Sequence, residues 1–245
     1  MMQTNSSYGK SYFTSRRNLS LTSAEKTLHH LKKFYDFSSV VDFGCGTGTW
    51  LKVCQEIGCK DILGLDDYAE KTLLEIPREQ FFRKNIGETV ELQKKYDLAI
   101  SLEAAEHIGV DSSENIVRNL VHASDVILFS AALPGQGGTH HVNEQPPIFW
   151  ATKFNKHNFV QYDFLRSLIW EEDEVAWWYK QNIFLYINKN SQKKIDFPTL
   201  ANNFSFKHIV HPDCLSSRIQ ELDLDNASIK NLLKAVLKIA FRKLL

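Results

Sequence analysis

The stretch that most constrains this chain reads Val40-Val41-Asp42-Phe43-Gly44-Cys45-Gly46-Thr47-Gly48. An apolar run ends near an acid and passes into glycines at alternate positions, and the residues after it read as a helix over Thr49–Ile57. Glycines allow a tight turn and close approach of backbone to a ligand. The first helical turn leaves N–H groups unpaired. A strand, a glycine turn and a helix in that order suit a nucleotide-type ligand, although glycines alone also fit a plain strand–turn–helix corner. Asp42 favours the ligand, because a carboxylate inside a strand end is costly without a cation or a donor beside it.

The surrounding pattern is α/β. Strand-like runs at Ser39–Phe43, Asp61–Leu65, Gln80–Arg83, Tyr96–Leu102 and Asp125–Ser130 alternate with helical stretches. Those stretches lie near Thr49–Ile57, Ala69–Ile76, Thr89–Lys94 and Ser113–His122, and a further strand fits Asn182–Ile187. The runs are continuously apolar, as strands covered on both faces are. The rhythm predicts a doubly wound, Rossmann-like, mostly parallel sheet with helices on both faces. Ser20 or Thr22 can cap an earlier helix running to about Tyr35. We therefore read residues 1–20 as a flexible N-terminal arm, 21–190 as the main domain and 191–245 as a C-terminal extension.

Bulk properties exclude several classes. Lys plus Arg and Asp plus Glu both number 29, so there is no basic footprint for nucleic acid. The four cysteines form no Cys-x-x-Cys pair, and Met1–Ser20 lacks the apolar run of a signal peptide. No stretch has the length of a membrane-spanning helix. A cytoplasmic setting is the expectation.

Spacing separates the cofactor classes. A dinucleotide fingerprint places its third glycine one position later than Gly48. Asp66, closing the next apolar run, can accept hydrogen bonds from ribose hydroxyls. The leading acid with Gly-x-Gly-x-Gly resembles the first motif of the class I S-adenosylmethionine-dependent methyltransferases. Tyr96–Ile108, which contains Leu102-Glu103-Ala104-Ala105-Glu106-His107, is similar to their fourth strand and its exit loop. The resemblance implies a seven-stranded sheet and S-adenosylmethionine as cofactor. It also implies a cofactor pocket of Asp42, Gly44, Cys45, Gly46, Asp66 (Asp67 as substitute), Asn85, Ile86, Leu102 and Glu103. Asn85 stands where many relatives carry Asp, and Cys45 is read as a packing residue.

If the acceptor is a hydroxyl, a base should take its proton, and histidine suits the task. Of nine histidines, His107 follows the fourth strand and His140 and His141 follow the fifth, on the side where such sheets bind ligands. His107 or His141 is the candidate base, and the residues leave both open. The loop Leu133–Pro147 holds glycines, histidines and the run Asn143-Glu144-Gln145. It resembles a segment of small methyltransferases that modify glycans and secondary metabolites, matched by His141 and Asn143-Glu144-Gln145, while His140 stands where a glycine is common. His140, Asn143 and Glu144 are the candidate acceptor contacts. A rigid cover whose polar groups bond their own backbone is the alternative. Trp177, beside Trp178-Tyr179 and Glu171-Glu172-Asp173-Glu174, is a candidate wall for a sugar. No metal is assigned. The set His140, His141 and Glu144 is disfavoured because adjacent histidines rarely point together.

The expected function is O-methylation of a sugar hydroxyl on a glycan or glycosylated metabolite. The alternatives are a small aromatic or quinone-like acceptor, or a non-catalytic cofactor-binding scaffold. Beyond Ala227, Lys230, Lys234, Lys238 and Arg242 oppose an apolar stripe. Such an amphipathic basic helix would dock on the domain, join a homodimer or rest on an anionic membrane.

Overall fold

The structure is a computed structural model that describes residues 10–192 and 209–222. It has two compact units, one running to Ile209 and the other from Val210. The first unit is a seven-stranded sheet in the order β3-β2-β1-β4-β5-β7-β6. Its strands are β1 (Ser39–Phe43), β2 (Asp61–Asp66), β3 (Phe81–Arg83), β4 (Leu98–Leu102), β5 (Val126–Ser130), β6 (Phe159–Tyr162) and β7 (Phe184–Asn188). β1 pairs in parallel with β2 and β4, whereas β7 runs antiparallel to β5 and β6. This is the expected doubly wound, mostly parallel, seven-stranded architecture.

Alternation along the central strands divides the core into two layers. Leu98, Ile100 and Leu128 pack with Leu28, Leu31, Trp50 and Leu51 from α1 (Lys10–Lys32) and α2 (Thr49–Glu56). Ala99, Ile127 and Phe129 face the other way, onto Ile116, Val117 and Leu120 of α3 (Ser113–Ala123) and Trp150 and Phe154 of α4 (Pro147–Lys156). α5 (Leu165–Ile169) and α6 (Trp177–Asn182) extend the first layer. Burying one large apolar side chain contributes about 1.5–3 kcal/mol, so two such layers hold the frame rigidly. Chain order reverses between β1 and β4, and their C-terminal ends open the crevice typical of such sheets.

Several expected elements differ. The first helix starts at Lys10, so residues 10–20, read as part of an arm, are helical. Ser20 and Thr22, the expected caps, both lie inside this helix, and Thr22 donates to the Glu174 carbonyl at 2.7 Å, so neither caps its start. Ala69–Ile76 is no α-helix: only a 3-10 turn forms over Lys71–Leu73, because Asp66 takes the Tyr68 and Ala69 amides. Thr89–Lys94 is not helical either. There the Val90 amide is bonded by Asn119, whose own amide group holds the Ile86 and Glu88 carbonyls. The fourth strand starts at Leu98 rather than Tyr96, since Tyr96 donates its N–H to Ala123. β6 and α4 to α6 have no counterpart in the sequence reading, and β7 begins at Phe184. The second unit contains α7 (Pro212–Leu222). The basic helix expected beyond Ala227 lies outside the described residues. No described helix is long and apolar enough to cross a membrane.

Candidate active site

The glycine turn is built by backbone. Gly44 and Cys45 both donate to the Leu65 carbonyl, at 2.7 and 3.1 Å, which ties the β1 exit to β2. Gly44 has φ +88°, and a Cβ there would lie 2.5 Å from the Cβ of Ala104. Gly48, at φ +87°, would bring a Cβ to 2.9 Å from Ile76. Left-handed geometry and lack of room together require glycine. Cys45 is buried between them, and burial pushes its thiol pKa up, which fits the packing role read for it.

Beside this turn opens a cavity of about 460 Å³, within the usual range for small-molecule sites. All ten residues of the expected cofactor set border it, from Asp42 and Gly44 at one end to Leu102 and Glu103. So does His107, one of the two candidate bases. Asp42 is almost wholly buried. Burial, and secondarily the charge of Asp66, hold its carboxyl well above the usual carboxylate range. An acid kept in that condition fits a cationic ligand. Asp66 accepts from Tyr68 and Ala69 through Oδ1 and from Gly46 through Oδ2, leaving Oδ2 capacity for one further donor. Asn85 caps its own turn through Gly87 N–H and Glu88.

Glu103 occupies a left-handed conformation, φ +50°, at the end of β4. Its amide donates to Ser130, and its carboxylate accepts from Gln136 at 3.1 Å and Asn182 at 3.0 Å. Burial raises its pKa while these donors oppose the rise. A strained non-glycine residue held by a polar network marks a positioned group.

The loop after β5 divides the expected acceptor residues. The His141 ring meets His107 edge-on, centroids 4.9 Å apart. His140 is exposed, and neither Asn143 nor Glu144 borders the cavity. Asn143 is buried and bonds Ser113, while Glu144 accepts from the Gly135 and Gly137 amides and faces His141 Nδ1 at 2.9 Å. Much of this loop is therefore the self-bonded cover given above as the alternative. Trp177 packs against Trp178 but lies outside the cavity wall, where Trp178, Tyr179 and Trp50 stand instead. Glu172 and Glu174 pair with Lys26 of α1, which occupies carboxylates considered for sugar binding. Ser20, Trp50 and Ser112 border the cavity without having been expected. Trp50 follows the glycine turn and Ser112 precedes α3, whereas Ser20 lies within α1, and none of these positions marks a pocket residue in the sequence.

A methyltransferase-domain family model matches residues 15–136, the part that carries the glycine turn, Asp66 and the β4 exit. Among solved structures, DesVI of Streptomyces venezuelae is 12% identical over 72% of this chain and 95% of its own, with a TM-score of 0.53. The plantazolicin methyltransferase BpumL, in complex with SAH, is 15% identical over 73% and 88%, with a TM-score of 0.52. Magnesium protoporphyrin IX methyltransferase of Synechocystis PCC 6803, with bound SAH, is 14% identical over 74% and 89%, with a TM-score of 0.50. At such identities the likeness is one of fold. No curated protein matches the sequence. The chain belongs to the class I S-adenosylmethionine-dependent methyltransferases. S-adenosylmethionine is its cofactor and methyl transfer its reaction.

Proposed function

We propose that the chain methylates a hydroxyl of a sugar, carried on a glycan or a glycosylated metabolite. One observation carries this reading: a single cavity borders both the glycine turn and His107, so the methyl donor and an imidazole share one space. When bound, the cofactor supplies a methyl group already activated on a sulfonium. The work left to the protein is alignment and exclusion of water.

In this reading Gly44 and Gly46 bring backbone against the cofactor, and Asp42 offsets its positive charge. Asp66, with Asp67 beside it, accepts from the ribose, and Asn85 and Ile86 border the adenine. Glu103, fixed by Gln136 and Asn182, faces the amino-acid end. His107 receives the acceptor's proton, and Trp178 and Tyr179 offer faces to a sugar ring. Those same aromatic walls favour a second reading, a flat phenolic or quinone-like acceptor.

Methyl-labelled S-adenosylmethionine incubated with nucleotide sugars, free glycans and phenols tests the proposal. Label in a base-stable methyl ether of a sugar is expected. Label only on phenols would establish the second reading, and label only on amines would overturn both.

A further inference from the structure

We propose that Glu106, His107 and His141 hold one divalent transition-metal cation beside the His107 wall of the cavity, with Glu144 as a positioning residue behind His141. One ligand atom from each of the three lies within 4.8 Å of the other two. Tetrahedral ligands about 2.1 Å from a zinc-like ion stand roughly 3.4 Å apart, so a modest closure completes the set.

Glu106 points to a cation most directly. It is 0% exposed, neither of its carboxylate oxygens has a well-formed hydrogen bond among the described residues, and the like charge of Glu103 beside it adds to the cost of burial. A buried carboxylate left that way is expensive, and pairing or metal coordination is how proteins offset the cost. Its carbonyl, by contrast, is fully used, accepting from the Val142 and Asn143 amides at 2.9 and 3.1 Å. These bonds staple the loop after β5 to the exit of β4 and set His141 beside His107.

The imidazoles are oriented as ligands are. The carboxylate of Glu144 accepts from two backbone amides and acts purely as an acceptor, so His141 Nδ1 carries the proton toward it. Nε2 then keeps its lone pair, the carboxylate–histidine arrangement that fixes the tautomer of metal-bound histidines. His107 Nδ1 similarly faces the His140 carbonyl, at 3.4 Å, with His140 held at φ +60°. Two imidazoles and one carboxylate suit zinc, manganese or iron better than magnesium. Three protein ligands leave a coordination position open, as catalytic rather than structural sites do. His140 and Glu144, the partners weighed for His141 from sequence, are not ligands here: one is exposed and the other is spent on the loop's own amides.

The test needs no acceptor. Untagged full-length protein, stripped with a chelator, is titrated calorimetrically with Zn2+, and in parallel with Mn2+ and Mg2+. One equivalent of Zn2+ or Mn2+ is expected to bind more tightly than Mg2+. Affinity should fall at least 100-fold in His141→Asn and Glu106→Gln, and about 10–100-fold in Glu144→Gln. SAH binding and the far-UV circular dichroism of each variant should match wild type, which separates a lost ligand from a lost fold. If Glu106→Gln does not fold, His141→Asn decides. No stoichiometric binding, preference for Mg2+, or undiminished binding in His141→Asn would overturn the site. With the cation bound, its open coordination position would take over the activation of the acceptor hydroxyl that the proposed function gives to His107. Loss of the site would return that task to the His107 imidazole and leave the proposed methylation standing.

Discussion

The two ends of the cavity are built in different ways. At the cofactor end the contacts are backbone: Gly44, Cys45 and Gly46 turn within a few residues and bond to the β2 exit through Leu65 and Asp66. At the acceptor end they are side chains from distant segments, with His107 on the wall and Glu106 and His141 against it. The first arrangement depends on conformations that few residues can adopt. The second depends on packing that brings the β5 loop onto the β4 exit. A substitution at one end should therefore leave the other largely intact.

Gly44→Ala should give the largest effect. The left-handed conformation costs about 1–2 kcal/mol for a residue with a Cβ, and overlap with Ala104 adds to it. Isothermal titration with SAH should show affinity reduced more than 100-fold, with the acceptor end unaffected only if the fold holds in circular dichroism. His107→Asn comes next: turnover of labelled methyl should fall about 10²–10⁴-fold, the usual contribution of proton transfer. Its SAH affinity should stay within about threefold of wild type, which is what divides the two ends.

Asp42→Asn sharpens the cofactor side. Because burial holds the folded pKa of Asp42 well above that of an exposed carboxyl, its stabilising neutral form persists at low pH and is lost as pH rises. The amide stays neutral throughout. Without cofactor, the variant should melt a few degrees higher than wild type at pH 7, corresponding to about 1 kcal/mol, and no higher at pH 3.5. Its SAH affinity should drop about tenfold. The smallest effects lie at the aromatic wall. Trp178→Ala should raise the acceptor KM by several-fold, about 1 kcal/mol of ring contact, whereas Trp177→Ala should change it less than twofold.

The same contrast explains what was legible in the sequence. The sheet and the glycine turn follow from local apolar runs and glycine spacing, and all ten expected cofactor residues border one cavity. The helices read at Ala69–Ile76 and Thr89–Lys94 failed because Asp66 and Asn119, side chains from other segments, take the backbone groups a helix would need. The sequence does not distinguish Trp177 from Trp178, because neighbouring residues on a helix, α6, that has no signal of its own cannot be assigned a face without knowing where it starts. His141 and Glu144 were legible as residue types. Their pairing with each other, and the approach of His141 to Glu106, follow from two backbone bonds to the Glu106 carbonyl that no local pattern reveals.

The most direct measurement is a side-by-side titration of SAH into wild type, Gly44→Ala and His107→Asn. A division between a backbone-built cofactor end and a side-chain-built acceptor end predicts near-equal affinity for wild type and His107→Asn, with binding lost in Gly44→Ala. Equal losses in both variants, or retained binding in Gly44→Ala, would contradict it.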